Sequence, residues 1–379
     1  MANLFGREVK PLGFGFMRLP MKTGNVGGDE GEVDIEQTKQ MVDLFLKRGF
    51  CYFDTAHPYI GGASEKALKE CLIDRYPRES FMIANKLSCG MFKGKDDIIP
   101  YIKNQLAITG AKYFDIYLLH AVSNNTYPTF VQSEAIKELK KAKEMGLIKH
   151  IGMSFHDTAE FMDMVLTDNP EIEIVQIQYN YLDYDDPTIQ SKAVHDVVRK
   201  HGKPLLIMEP VKGGFLAKLP EDALNVLKNF GDHTPASFAV RYAASAEGVQ
   251  MVLSGMSTLK QVDDNTSYME HFVPLSEEEQ TALTVVRGIL KGSNQIKCTA
   301  CHYCTKGCPK KINIPELFQA YNSRFQSNDM WHSKYYYEIY TSDGHGKAKD
   351  CIKCGACERI CPQHLPIREL LKEVSKAFD

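Results

Sequence analysis

The chain has 379 residues, an ordinary apolar content of 44% and a formal net charge of −3. That is enough for one large domain and a small one, and it excludes a disordered chain. The near-neutral charge offers no footprint for nucleic acid, and no uninterrupted apolar run is long enough to span a bilayer.

Short apolar segments, often bounded by Gly, Pro or Asp, predict strands at 12–16, 51–56, 81–87, 114–121, 149–155, 174–182, 204–210 and 249–256. Their continuous apolar character suits strands covered on both faces. Helical periodicity fills the gaps, at 37–49, 64–74, 96–110, 133–146, 158–168, 188–202, 234–245 and 258–269. Ser64, Ser133, Thr158 and Thr258 read as helix-opening residues, and Gly146 and Gly202 as left-handed stops. Eight strand–helix units over about 250 residues have the count and length of a (β/α)8 TIM barrel. An open doubly wound sheet would have fewer strands and a glycine-rich turn opening its first helix. The one comparable cluster, Gly13 to Phe16, precedes a long loop instead. The expected organisation is an α/β barrel at 1–274, a bridging helix at 275–296 and a separate cysteine-rich domain at 297–379.

Function on such a barrel sits where the strands exit at their C-terminal ends. Asp54, Tyr59, Lys86 and His120 fall there. Tyrosine is a poor acid at neutral pH, with an unperturbed pKa of ~10. A nearby ammonium favours its phenolate, a carboxylate would hold that ammonium, and a neutral histidine would orient a carbonyl oxygen beside the hydroxyl. Singly, each residue has a plainer role as loop cap, surface aromatic, solvated charge or core histidine. Four in order at strand ends outweigh those roles. The neighbouring His57 and Tyr52 are read as structural.

From about Leu12 to Asn265 the sequence resembles the aldo-keto reductases. FDTAHPYIGGASE, IANKL and YLLHA carry that resemblance. It implies that Asp54, Tyr59, Lys86 and His120 form the catalytic tetrad, with Tyr59 donating a proton in NAD(P)H-dependent carbonyl/alcohol interconversion. It also implies a dinucleotide extended across the barrel mouth. Ser154 and Gln176 would hold the carboxamide. Met208 or Glu209 stands where many relatives stack an aromatic on the nicotinamide, with Met208 able to pack there, and Gly213, with Gly214 sharing the role, would approach the pyrophosphate. Ser257, Gln261 and Asn265 would surround the adenosine end. Relatives that prefer NADPH place a cation at positions that here are Gly255 and Gln261, and Lys260 is the nearest cation. NADPH and NADH are therefore held equal.

Eight of the 11 cysteines lie in two copies of one pattern, CTACHYCTKGCP from Cys298 and CIKCGACERICP from Cys351. Zinc sites use paired C-x2-C units or mixed ligands, which this spacing fits poorly. In two-cluster ferredoxins the fourth cysteine of such a run ligates the other cluster. Applied here, one [4Fe–4S] cluster takes Cys298, Cys301, Cys304 and Cys361, and the other takes Cys351, Cys354, Cys357 and Cys308. About forty residues separate the motifs, and helical patterns follow both, so the tail resembles the α-helical ferredoxins. The aromatic stretch MWHSKYYYEIY is read as a lid or interface. Cys51, Cys71 and Cys89 lack the spacing and are read as packing residues.

A nicotinamide moves two electrons and a cubane one, and coupling them usually takes a flavin or another converter. No flavin-binding motif stands out, so a flavin cofactor is conceivable but unsupported by the sequence. The leading expectation is a reductase of a small carbonyl or alcohol whose clusters exchange electrons with a redox protein partner or with an acceptor at the barrel mouth. The alternatives are a reductase with purely structural clusters and an electron-transfer subunit. The start, MANLFGREVK, lacks a signal-peptide core, so a cytoplasmic location is expected, with neither nucleic-acid nor membrane partners.

Overall fold

The computed structural model describes residues 2–22, 32–187, 189–292, 295–327, 330–342 and 344–379. Thr188, in the helix expected at 188–202, and residues 293–294 of the bridging segment lie outside them, as do the side chains of 330–332 in the aromatic stretch.

Eight parallel strands close into a barrel. They are β1 (Leu12–Gly15), β2 (Tyr52–Asp54), β3 (Met82–Leu87), β4 (Phe114–Val122), β5 (Ile148–Phe155), β6 (Ile174–Gln178), β7 (Leu205–Met208) and β8 (Val249–Ser254). Every residue of β1, β2, β3 and β6 is buried. The barrel interior excludes water from one face and the ring of helices from the other, so neither face requires polar residues. Gly13 makes room for this filling, since a Cβ there would lie 2.7 Å from Leu253 and 2.8 Å from Tyr52. An antiparallel hairpin, Ala2–Leu4 with Arg7–Val9, was not expected from the sequence. Its Leu4 and Val9 pack into the same buried cluster as Tyr52, Met82, Ile116 and Ile174, which are barrel-strand residues.

Two expected helix starts move. The helix at Ala135–Glu144 begins after Glu134, and the Ser133 hydroxyl instead donates to Thr129 O at 2.8 Å. The Ser64 hydroxyl donates to Phe16 O at 3.0 Å, and Gly62 precedes that helix. Thr158 and Thr258 do cap, accepting from Phe161 N and Gln261 N.

Contacts divide the chain differently from its sequence order. One unit holds residues 1–210 and 237–276, and the other holds 211–236 and 277–379. The segment after β7 therefore belongs with the tail, not with the barrel. The second unit holds helices at Glu277–Gly292, Ile314–Ser327, Met330–Tyr340 and Ile367–Phe378 together with the two cysteine segments. Its core gathers Ile296, Ile314, Leu317, Phe318, Tyr337 and Leu371, and it includes Cys304 and Cys357. The Asn322 amide pins the approach to the first motif, accepting from Ile296 N at 2.7 Å and donating to Ile296 O at 2.6 Å.

Candidate functional site

The barrel brings the four polar residues together. Asp54 ends β2, Lys86 lies near the end of β3 and His120 lies in β4, while Tyr59 stands on the turn after β2. That turn runs through left-handed conformations at Ile60 (φ 51°), Gly61 and Gly62. A β-branched residue there is strained, and such strain collects where function fixes a neighbour.

The Lys86 ammonium donates to Asp54 Oδ1 at 2.6 Å and to Thr55 O at 2.9 Å. It lies 4.8 Å from the Tyr59 ring centre, and the His120 ring meets Tyr59 edge-on at 5.7 Å. Burial pushes Asp54 up and Lys86 down, each toward its neutral form, and their mutual bond opposes both shifts. Tyr59 is held well above its ordinary value by burial, then by the Asp54 and Glu209 carboxylates. That direction is opposite to the lowering expected from the nearby ammonium.

His120 is kept neutral. Burial first, then Lys86 and His156, hold it well below its ordinary 6.5. An unfolded chain would bind a proton near that pH which the native site refuses. Stability from this source is therefore full above pH 6.5 and falls as acid is added. Between about pH 8 and about pH 5.5 the urea midpoint of the parent should fall more steeply than that of His120→Gln. Equal slopes would show that the imidazole titrates normally.

Sequence reasoning missed Ser88, whose hydroxyl lies 2.6 Å from His120 Nδ1. With that nitrogen engaged, Nε2 is the end left to face a substrate. Only proximity to Lys86 in sequence hinted at it. His57 is tied elsewhere, with Nδ1 2.6 Å from Glu65, a buried carboxylate that also accepts from Asn85 and Gln105. Tyr52 lies inside the barrel.

Ser154 and Gln176 are paired across β5 and β6, and Gln176 Nε2 reaches Met208 Sδ at 3.4 Å on β7. Ser154 Oγ accepts from Ala121 N at 2.8 Å. Gln176 Oε1 is buried with no hydrogen-bond partner among the described residues, so it can accept from an amide N–H of a bound group. Around the turn after β8, Gln261 Oε1 accepts from Ser257 N at 2.7 Å, and Asn265 donates to Ser254 at 2.8 Å. The Ser257 hydroxyl donates to Arg18 O at 2.7 Å. The Arg18 stem covers Gly255, where a Cβ would meet it at 3.2 Å. Arg18 is a cation at this end that the sequence did not flag. Gly213 lies in the second unit with its bare face closed by Thr299: a Cβ there would lie 2.3 Å from Thr299 O. The tail's own main chain therefore leaves no room for a side chain at Gly213.

In the second unit the cysteines ring two hollows. One is lined by Cys298, Cys301, Cys304 and Cys361, and the other by Cys308, Cys351, Cys354 and Cys357. The fourth cysteine of each motif has crossed to the other motif's hollow. Among the described residues no three His, Cys, Asp or Glu side chains are placed to hold a single ion. Burial, with the nearby Cys301 and Cys361 adding to it, pushes the Cys298 thiol up to about 12. Burial likewise pushes Cys357 up to about 11. Thiols of this kind bind a metal as thiolates, so their protons are released to solvent on binding. Each hollow, walled by four thiols with mostly apolar and a few polar side chains, fits an iron–sulfur cluster.

A closed parallel barrel with polar residues at its strand ends, followed by a separate cysteine-ringed helical unit, defines a barrel enzyme with a metal-cluster module. The aldo/keto reductase family model matches residues 11–287, and a 4Fe-4S dicluster domain matches 297–365. The chain belongs to the aldo/keto reductase family, is an oxidoreductase, and carries a 4Fe-4S dicluster domain at its C-terminal end. It is 25% identical to the L-galactose dehydrogenase of Arabidopsis thaliana over 76% of this chain and 92% of that protein. It is 32% identical to a probable aldo-keto reductase of Glycine max over 39% of this chain and 42% of that protein. A solved aldo-keto reductase from Bacillus halodurans, in its holo form, shares the fold at a TM-score of 0.61 and 23% identity, covering 76% of this chain and 95% of that one. One from Klebsiella pneumoniae, in complex with NADPH, does so at 0.59 and 19%, covering 74% and 96%. Among the described residues no helix is long and apolar enough to cross a membrane.

Proposed function

We propose that this oxidoreductase interconverts a small carbonyl compound and its alcohol at the mouth of the barrel, with Tyr59 passing the proton. The observation that carries the reading is the buried Lys86–Asp54 pair beneath the Tyr59 ring, with neutral His120 against the same ring. A bound NADPH or NADH would supply hydride to the carbonyl carbon. Tyr59 gives its hydroxyl proton to the carbonyl oxygen, His120 orients that oxygen through Nε2, and Lys86 with Asp54 holds the tyrosine's surroundings. Hydride and proton together complete the reduction, so the barrel chemistry balances by itself. The test is Tyr59→Phe, which should abolish carbonyl reduction and spare nucleotide binding.

Ser154, Gln176 and Met208 would hold the nicotinamide, with the orphaned Gln176 oxygen accepting from its carboxamide. Ser257, Gln261 and Asn265 would stand at the adenosine end. Lys260 on the first turn of the helix at Leu259–Met269 would face a 2′-phosphate. Lys260→Ala should therefore raise the dissociation constant of NADPH several-fold more than that of NADH. Equal changes in both would remove Lys260 from the site.

The two hollows would hold two [4Fe–4S] clusters, liganded by Cys298, Cys301, Cys304 and Cys361, and by Cys351, Cys354, Cys357 and Cys308. When bound they would store and pass single electrons, and a redox protein is the partner this reading implies. Exposed Cys354 makes the second hollow the one open to such a partner.

A further inference from the structure

The two cysteine motifs are repeats, and the second residue after the fourth cysteine occupies an equivalent place in each. Lys310 follows Cys308 and lines the second hollow, while Gln363 follows Cys361 and lines the first. Lys310 is exposed, whereas Gln363 is 6% exposed. The Gln363 side chain is held from a distant point in the chain. Lys212, 151 residues away and 2% exposed, donates from Nζ to Gln363 Oε1 at 2.7 Å. An ammonium has donors only, so the amide oxygen must be the end turned toward it. The NH2 end of Gln363 is then the end directed away from Lys212.

Lys212 sits in a turn that is costly to form. It has φ 45°, and Gly213 and Gly214 follow at 65° and 97°. A lysine in left-handed backbone persists only where its surroundings over-determine it. Those surroundings are two wall residues of one hollow. Lys212 meets Gln363, and the bare face of Gly213 meets the main chain of Thr299, which also lines the first hollow. The turn after β7 thus lands twice on the wall around Cys298, Cys301, Cys304 and Cys361.

We propose that Lys212 is a positioning residue for this cluster site: it turns Gln363 so that the amide N–H faces the hollow as a donor to cluster sulfur, and it sets a buried positive charge behind that donor. The proposal rests on the cluster reading above. Hydrogen bonds to the sulfurs and nearby positive charge both favour the more negative, reduced state. Of the two centres, the one in the first hollow therefore has the higher reduction potential. The cations lining the second hollow, Lys310 and Arg368, are exposed, and Arg368 is paired with Glu358 at 2.7 Å, so water and a carboxylate weaken their effect.

The experiment is a potentiometric EPR titration with dithionite of the anaerobically reconstituted full-length protein, the parent beside Lys212→Met, Lys212→Arg and Gln363→Leu. Lys212→Met should lower the midpoint of one centre by about tenfold in the one-electron equilibrium, about 59 mV, and leave the other in place. Gln363→Leu should lower the same centre, and Lys212→Arg should restore it. If Lys212→Met fails to take up iron, Gln363→Leu, which removes the donor and keeps the charge, decides the matter. Midpoints equal to the parent's, or equal shifts in both centres, would overturn the proposal while leaving the clusters standing. A parent that loads no iron–sulfur cluster would overturn the cluster reading, and this inference with it.

Discussion

Tyr59→Phe should lower kcat for carbonyl reduction by on the order of 10²–10⁴-fold while the dissociation constant for nucleotide stays within a few-fold of the parent's. The substitution is well suited to the site. Phenylalanine keeps the ring that Lys86 approaches at 4.8 Å and His120 meets at 5.7 Å, and it removes only the oxygen. Tyr59 is 8% exposed, so the ring volume stays filled and no cavity opens. The other tetrad positions give less decisive variants. Removing Lys86 strands the Asp54 carboxylate, whose Oδ2 already lacks a hydrogen-bond partner among the described residues. Breaking one side of a buried pair costs about 3–5 kcal/mol, so loss of activity there would mix chemistry with unfolding. Stopped-flow turnover under argon, with nucleotide affinity from fluorescence quenching, separates the two terms for Tyr59→Phe. Turnover within threefold of the parent would place the proton donor elsewhere.

The parts of this molecule legible in the sequence are those with a local signature. Strands buried on both faces read as unbroken apolar runs, and β1, β3 and β6 lie where such runs were expected. The four polar residues stood out because each interrupts or follows an apolar run at the end where barrels place their chemistry. What could not be read are contacts between distant segments. Nothing in VKGG announces that Lys212 reaches Gln363 or that Gly213 lies on Thr299, and without those contacts residues 211–236 look like an ordinary barrel crossover. The N-terminal hairpin, with strands of three residues each, is too short for a period to emerge. The upward direction at Tyr59 was hidden for a related reason. Sequence places an ammonium near a phenol but does not say which face it approaches. The structure sets Lys86 Nζ over the ring and lets burial and two carboxylates dominate the hydroxyl.

The crossing of the fourth cysteines has a consequence that paired substitutions can read. Cys361→Ala should cost the protein one cluster and about half its iron, as should Cys298→Ala or Cys351→Ala alone. The pairs differ. With Cys361 lining the hollow of Cys298, Cys301 and Cys304, the double variant Cys298→Ala with Cys361→Ala damages one site twice and should keep the half-iron content of either single variant. Cys351→Ala with Cys361→Ala damages both sites and should lose nearly all iron, because Cys351 lines the other hollow. This is non-additivity used as a distance measure: two losses at one site overlap, and two losses at separate sites sum. The stability readout should follow the same pattern. Cys304 and Cys357 belong to the core of this unit, and metal binding contributes directly to the folding of so small a core. The one-site double variant should unfold in urea close to its single variants. The two-site double variant should lose the cooperative transition of the tail while the barrel transition remains. Iron analysis of anaerobically reconstituted protein, with urea unfolding followed by far-ultraviolet circular dichroism, supplies both measurements. If the Cys351 and Cys361 pair kept half the iron and the Cys298 and Cys361 pair lost it all, each motif would close its own cluster, and the crossed assignment would be wrong.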